Sequence, residues 1–431
     1  MKRTFALLAL AWVPLGASAD SYLIENVRIF NGVDPELLTG HVLVVDGIID
    51  AVSEDRLEAP AGALVIDGGN RVLTPGFIDL HVHLTSHVPS ALGDMHATAV
   101  GAIANDVARL FLDSGFTTIR DAGGTHPHLA RAINDGLIYG PRVFPSGAVL
   151  SQTGGHGDWR HQSDPHPGLE GGSPYKMADQ TVLVDGVDQH LAATRENLRR
   201  GATQIKIMGG GGVMSDYDPI DSLQPSPAEI RAAVQAASDW GTYVLAHAYT
   251  SEAVRRLVEN GVRCIEHGLL IDDATAKYVK QNDVVISTQL VIFRELANLP
   301  GITETNLEKL KVVLAGQENL IELIKKHDIT TGFSTDLIAG MYPMVTREFT
   351  ERALYWTPAE VLAQATSESA KVIRMSGKRN RYGNFGEIRK GWVADLLLIN
   401  GEPLDDISVL RDPENNLALI MKAGEVVKNK L

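Results

Sequence analysis

Apolar and polar positions alternate along this chain with two different periods, and the change of period marks its organisation. Residues 21–72 read as short strands broken by turns ("YLIENVRIFNG", "HVLVVDGIIDAVS", "ALVIDGGNRVLTPG"). The end of the chain repeats that manner with "GEIRKGWVADLLLING" and "LALIMKAGEVVKN". Alternation with glycine turns predicts β-structure at both ends. Between about residues 73 and 376, compact apolar runs instead alternate with helical patterns. The runs are "GFIDLHVHL", "FTTIRDAGG", "PRVFPSG", "TQIKIMGGGG", "TYVLAHAY", "RCIEHG", "VVISTQL" and "TTGFSTD". Helices are expected over 186–200, 226–239, 251–260 and 304–327, with polar starts such as "SPAE" and "TSEA".

This predicts an α/β chain: a (β/α)8 TIM-like barrel over 73–376, with a small β-sandwich domain assembled from residues 20–72 and 377–431. In such a barrel the active site sits at the C-terminal ends of the strands. The long irregular stretch 151–180, rich in Gly, Pro, His and Asp, follows the third run and is expected to overhang that mouth as a lid.

Composition narrows the class. The first nineteen residues, "MKRTFALLALAWVPLGASA", have the layout of a secretory signal peptide, with cleavage expected before Asp20. That predicts a secreted or periplasmic protein. Loss of Lys2 and Arg3 would take the formal charge from -14 to -16. Such an acidic chain argues against nucleic acid and anionic membrane as partners. Cys264 is the single cysteine, so no internal disulfide can form. Self-association is left open.

Candidate chemistry lies at the predicted strand ends. His81 and His83, one residue apart in the first run, share a strand face because the side-chain period is two. Lys206 lies near the end of the fourth run, His247 the fifth, His267 the sixth and Asp336 the eighth. Four imidazoles and a carboxylate suit divalent transition metals such as Zn²⁺, and the set exceeds what one ion requires. A lysine buried among metal ligands would lose its proton readily, and the neutral amine can take up carbon dioxide as a carbamate. The residues alone leave a structural salt bridge of Lys206 equally open.

"FIDLHVHL", Lys206, "LAHAY", "IEHG" and "STD", flanked by β-rich ends, resemble the amidohydrolase superfamily of metal-dependent hydrolases. The resemblance implies two divalent ions: His81 and His83 on the more buried one, His247 and His267 on the other, and Lys206 bridging as N6-carboxylysine. It makes Asp336 both ligand and base. "TGGHGD" with "KIMGGGGVMS" and "AHAY" further resembles the branch of Xaa-Pro and Xaa-Lys/Arg metallo-dipeptidases and ochratoxin-hydrolysing enzymes. There His156 is implied to contact the scissile carbonyl and Tyr249 to hold the substrate.

Gly210 and Gly211 are expected to let the backbone approach a ligand closely, and Arg294, after the seventh run, is a candidate receptor for a substrate carboxylate. The expected activity is cleavage of an amide bond to a C-terminal amino acid in a dipeptide or N-acyl amino acid. A cyclic amide, imidazolone or lactone is the runner-up substrate, and a non-catalytic binding protein the remote alternative.

Overall fold

The computed structural model describes residues 21–86, 97–166 and 180–431. The expected signal peptide, and residues 167–179 of the expected lid, lie outside the described residues.

Both chain ends enter one sheet. Ser21–Ile29, Leu38–Val45, Ile48–Ser53 and Leu64–Pro75 join Leu396–Ile399, Leu417–Lys422 and Glu425–Asn429 in seven strands. The expected sandwich is thus one continuous sheet, because Leu64–Pro75 pairs with Ser21–Ile29 on one side and Leu396–Ile399 on the other. Its apolar face, including Ile24, Val42, Leu73, Leu396 and Leu419, forms a core of its own.

The middle of the chain is a set of parallel strands with helices between them. Phe77–Val82, Phe116–Asp121 and Arg142–Pro145 form one sheet. Val149–Ser151 with Thr181–Leu183, then Ile205–Met208, Val244–Thr250, Cys264–Leu270 and Val285–Ser287, form a second. Thr203 N, just before Ile205–Met208, donates to Pro145 O at 2.8 Å and so ties the second sheet to the first, while Leu80 N of the first sheet donates to Phe333 O at 2.9 Å.

The eighth run, 330–336, lies between Val285–Ser287 and Phe77–Val82 but forms no regular strand. Ile286 N donates to Thr330 O at 3.1 Å and Asp336 N to His81 O at 2.8 Å. The buried Asp79 carboxylate accepts from His81 N at 2.9 Å and Thr335 N at 3.2 Å, so a side chain takes over bonds that a ladder would supply.

Helices Val187–Arg200, Pro227–Asp239 and Ser251–Glu259 fall where the periodicity places them. Glu229 accepts from Ser226 N at 2.8 Å, and Thr250 Oγ1 from Ala253 N at 3.4 Å, so the polar starts do cap these helices. The expected helix 304–327 is two, Glu304–Leu314 and Gln317–His327. Gly316 stands at the break, where a Cβ would lie 2.1 Å from Leu269 O.

Candidate active site

Strand direction brings the predicted residues to one mouth. His81, Lys206, His247 and His267 are buried, and all four line a single cavity with His83, His156, Tyr249 and Asp336. The cavity encloses about 920 Å³, open mouth included. His81, His83 and Asp336 can each offer one ligand atom within 4.8 Å of the others. Nε2 of His81 and Nε2 of His83 both lie 3.3 Å from Oδ1 of Asp336. The His247 ring is 4.6 Å from that of His267, which in turn is 5.2 Å from His81.

The partners behind the imidazoles decide which nitrogen faces the cavity. Nδ1 of His81 meets Glu266 at 2.7 Å, Nδ1 of His83 meets Gly123 O at 2.7 Å, Nε2 of His247 meets Gly211 O at 3.0 Å, and Nδ1 of His267 meets Gln289 Oε1 at 2.7 Å. Gln289 donates its own amide to Ser287 O at 3.1 Å, which fixes Oε1 toward His267. Carboxylate, carbonyl and amide oxygens only accept, so each ring puts its proton outward and a bare nitrogen inward.

Burial also favours the neutral form of His81, His247 and His267. It pushes His81 down to about 3, and with neighbouring His156 and His267 it holds His247 well below the ordinary range. Against the same downward push, the Asp336 carboxylate raises His83. Burial would raise Asp336 itself, but the surrounding histidines hold it well below the usual carboxylate range.

Lys206 is depressed by burial against the upward pull of Glu266 and Asp336. Its ammonium has no hydrogen-bond or ion-pair partner among the described residues, so the salt-bridge reading finds no counter-ion in contact. Neutral imidazoles, an ionised carboxylate and an unpartnered lysine fit divalent metal. His267 at φ 75° and Asp336 at φ 54° adopt left-handed backbone that non-glycine residues rarely take, a strain that clusters at functional sites.

Two sequence expectations are corrected. Arg294 does not line the cavity; its guanidinium pairs with Glu351 and donates to Tyr355 Oη at 2.9 Å and Gln317 Oε1 at 3.2 Å. Gly210 and Gly211 do not line it either. Gly211 serves internal packing, because a Cβ there would lie 1.8 Å from Pro219 O, and its neighbour Gly212 backs the His156 ring, where a Cβ would lie 1.9 Å from Nδ1.

Sequence reasoning also missed Glu266, Arg120 and Gln289. Nη2 of Arg120 donates to Glu266 at 2.6 Å, with both side chains fully buried. The available signal was charge inside apolar strands, since Arg and Glu are almost never fully buried unless paired.

A ring of inward-facing imidazole nitrogens and a carboxylate at the C-terminal ends of parallel strands could hold divalent metal, the donor set of a metal-dependent hydrolase on a TIM-like scaffold. The chain belongs to the amidohydrolase family, which residues 72–427 match. It is 29% identical over 376 residues to ochratoxinase of Aspergillus niger, covering 83% of this chain and 76% of that protein. A crystallised amidohydrolase superposes with TM-score 0.88 at 38% identity, covering 95% of this chain and 100% of its own. A prolidase crystallised with N-methylphosphonate-L-proline does so with TM-score 0.88 at 34% identity and the same coverage. The chain is therefore a hydrolase of C–N amide bonds.

Proposed function

We propose that this enzyme hydrolyses the amide bond to a C-terminal amino acid, in a dipeptide or an N-acyl amino acid, after export with loss of residues 1–19. The observation that carries the reading is the pair of rings packed against His247. His156 lies over it at 4.2 Å and Tyr249 meets it edge-on at 4.8 Å, between centroids, so two side chains outside the ligand set face the same cavity. Trp159, Met208, Val213, Met214, Phe293 and Ile338 give that cavity an apolar wall for a side chain or acyl group.

His81, His83 and Asp336 would hold one divalent ion and His247 and His267 a second, zinc by donor type, with Lys206 as carbamate between them. Carbamate formation joins Nζ to carbon dioxide and releases one amine proton. Bound there, such ions supply an acidified water and a polarised carbonyl.

The chain's own residues do the rest. Asp336 receives the proton of the attacking water and returns it to the departing amine. His156 donates to the carbonyl oxygen as negative charge develops on it. Tyr249, kept neutral by burial and nearby carboxylates, donates its hydroxyl to the substrate.

One observation favours a second reading. Among the described lining residues Lys206 is the only lysine or arginine, so a neutral cyclic amide, imidazolone or lactone would also be accommodated. Assaying the zinc-loaded protein on N-acyl amino acids and dipeptides, beside cyclic amides and lactones, tests the proposal. Turnover confined to the cyclic substrates would overturn it. Amino-terminal sequencing of the exported protein tests the export, with Asp20 expected as first residue.

A further inference from the structure

His156 differs from the four imidazoles beside it in what stands behind it. The nearest partner behind each of those four is an oxygen that can only accept; at His81 the Glu266 carboxylate at 2.7 Å lies closer than the Gln289 amide nitrogen at 3.3 Å. Nδ1 of His156 instead meets the Ser215 hydroxyl at 2.7 Å, and a hydroxyl can donate.

Ser215 sits in the segment that follows Ile205–Met208, and helix Glu304–Leu314 fastens that segment down. Lys309 Nζ donates to Gly212 O at 3.1 Å and Ser215 O at 2.6 Å, and Asn306 Nδ2 to Val213 O at 2.6 Å. Asp218 holds Gly212 N at 2.9 Å, and Gln224 Oε1 holds His156 N at 3.0 Å. The His156 ring therefore has its backbone, its face against Gly212 and its Nδ1 all fixed from behind.

The Ser215 hydroxyl has one proton and two acceptors in reach, His156 Nδ1 at 2.7 Å and Gly212 O at 3.2 Å. Lys309 already serves Gly212 O, and the imidazole contact is the shorter. We infer that Ser215 and Lys309 are positioning residues: Ser215 donates to Nδ1 of His156, Lys309 frees it to do so, and the His156 proton is thereby held on Nε2, facing the cavity. The four other rings point bare nitrogens inward and His156 alone points an N–H. That division separates metal ligation from hydrogen-bond donation within one cluster. The inference rests on the reading of His156 as donor to the scissile carbonyl and deepens it, since only the Nε2–H form can donate there.

The test is a nitrogen-15 spectrum of the zinc-loaded protein labelled at histidine, with His156 assigned by the signal lost in His156→Asn. A protonated Nε2 and a bare Nδ1 on His156 are expected. A proton on Nδ1 would overturn the inference, with no substrate involved. Ser215→Ala should move part of the His156 population to the Nδ1–H form and lower kcat with KM unchanged. The fall should be roughly tenfold, less than the roughly 10²-fold to 10³-fold loss of a whole oxyanion donor. Lys309→Met should move tautomer and kcat the same way to a smaller extent. Unchanged tautomer and unchanged kcat in Ser215→Ala would also overturn it. Failure to cleave any amide, with Nε2–H in place, would sink the proposed function and leave the tautomer assignment standing.

Discussion

Oε2 of Glu266 lies 2.7 Å from Nδ1 of His81, while Oε1 of the same carboxylate takes the Arg120 guanidinium at 2.6 Å. One buried carboxylate thus orients an imidazole at the mouth and neutralises a cation in the strand layer beneath. Glu266→Gln keeps the size and removes the charge. Breaking such a pair on one side costs about 3–5 kcal/mol, because Arg120 is left charged and buried. Metal affinity should fall about 10–100-fold as His81 loses its orienting partner. Denaturant unfolding and zinc titration check both, and wild-type values in each would show that Leu80 O at 2.5 Å and Tyr243 Oη at 3.1 Å, which the guanidinium also reaches, suffice for Arg120.

Among the described residues Lys206 has no counter-ion in contact, which a carbamate bridge would explain. Lys206→Ala should lose nearly all activity and bound metal, and a short carboxylic acid in the buffer should restore part of both by supplying the missing oxygens. Elemental analysis and turnover measured together decide it. Full activity without added acid would remove the bridge.

Asp336 is held ionised by the histidines around it, the state a proton acceptor needs. Asp336→Asn should lower turnover by roughly 10²-fold to 10⁴-fold, the usual cost of losing a general base. Metal content must be read on the same sample, because Asp336 also lies 3.3 Å from His81 and His83. A metal-replete variant with near-normal turnover would place the base elsewhere.

With Arg294 committed to Glu351 and Tyr355, the proposed recognition of a substrate carboxylate would fall to neutral donors such as Tyr249. Converting the substrate's C-terminal acid to its amide should cost about 1.5–3 kcal/mol in kcat/KM, the worth of a charge-assisted hydrogen bond. Tyr249→Phe should shrink the difference between acid and amide, whereas Arg294→Ala should leave it unchanged. Equal rates on acid and amide would move the cyclic substrates to first place.

The metal-free protein should be acid-labile at a pH set by its histidines. Burial lowers His156 to about 4 and His81 to about 3, both below the ordinary value of 6.5 that the unfolded chain regains. Between those values the unfolded state binds more protons, so stability falls as pH drops. The slope is about 1.4 kcal/mol per pH unit for each histidine, beginning below about pH 6.5. Asp336 adds to this lower down, since its depressed value makes its contribution vanish as pH falls through the folded-state value. Urea unfolding across this range checks the slope, and a flat profile would show the histidines to be solvated.

By itself the sequence determined what depends on periods and order. The parity of a strand puts His81 and His83 on one face, and the alternation of apolar runs with helical stretches puts Lys206, His247, His267 and Asp336 near one set of strand ends. The capped starts at Ser226 and Thr250 were legible for the same reason, since capping is settled within four residues of chain. Tertiary structure alone decided the rest.

Glu266 reaches His81 across 185 positions and Arg120 across 146, distances over which no local pattern operates. Run 330–336 has the composition of a strand, yet the Asp79 carboxylate takes the backbone donor of Thr335 and Gln364 O that of Phe333, and no ladder forms. Gly211 reads as room for a ligand until Pro219 fills that room. Arg294 reads as a free cation until Glu351, which only folding brings near, claims it. Period and propensity act along the chain, whereas the partner of a buried charge is fixed by packing between distant segments, and this site is built mostly from such partners.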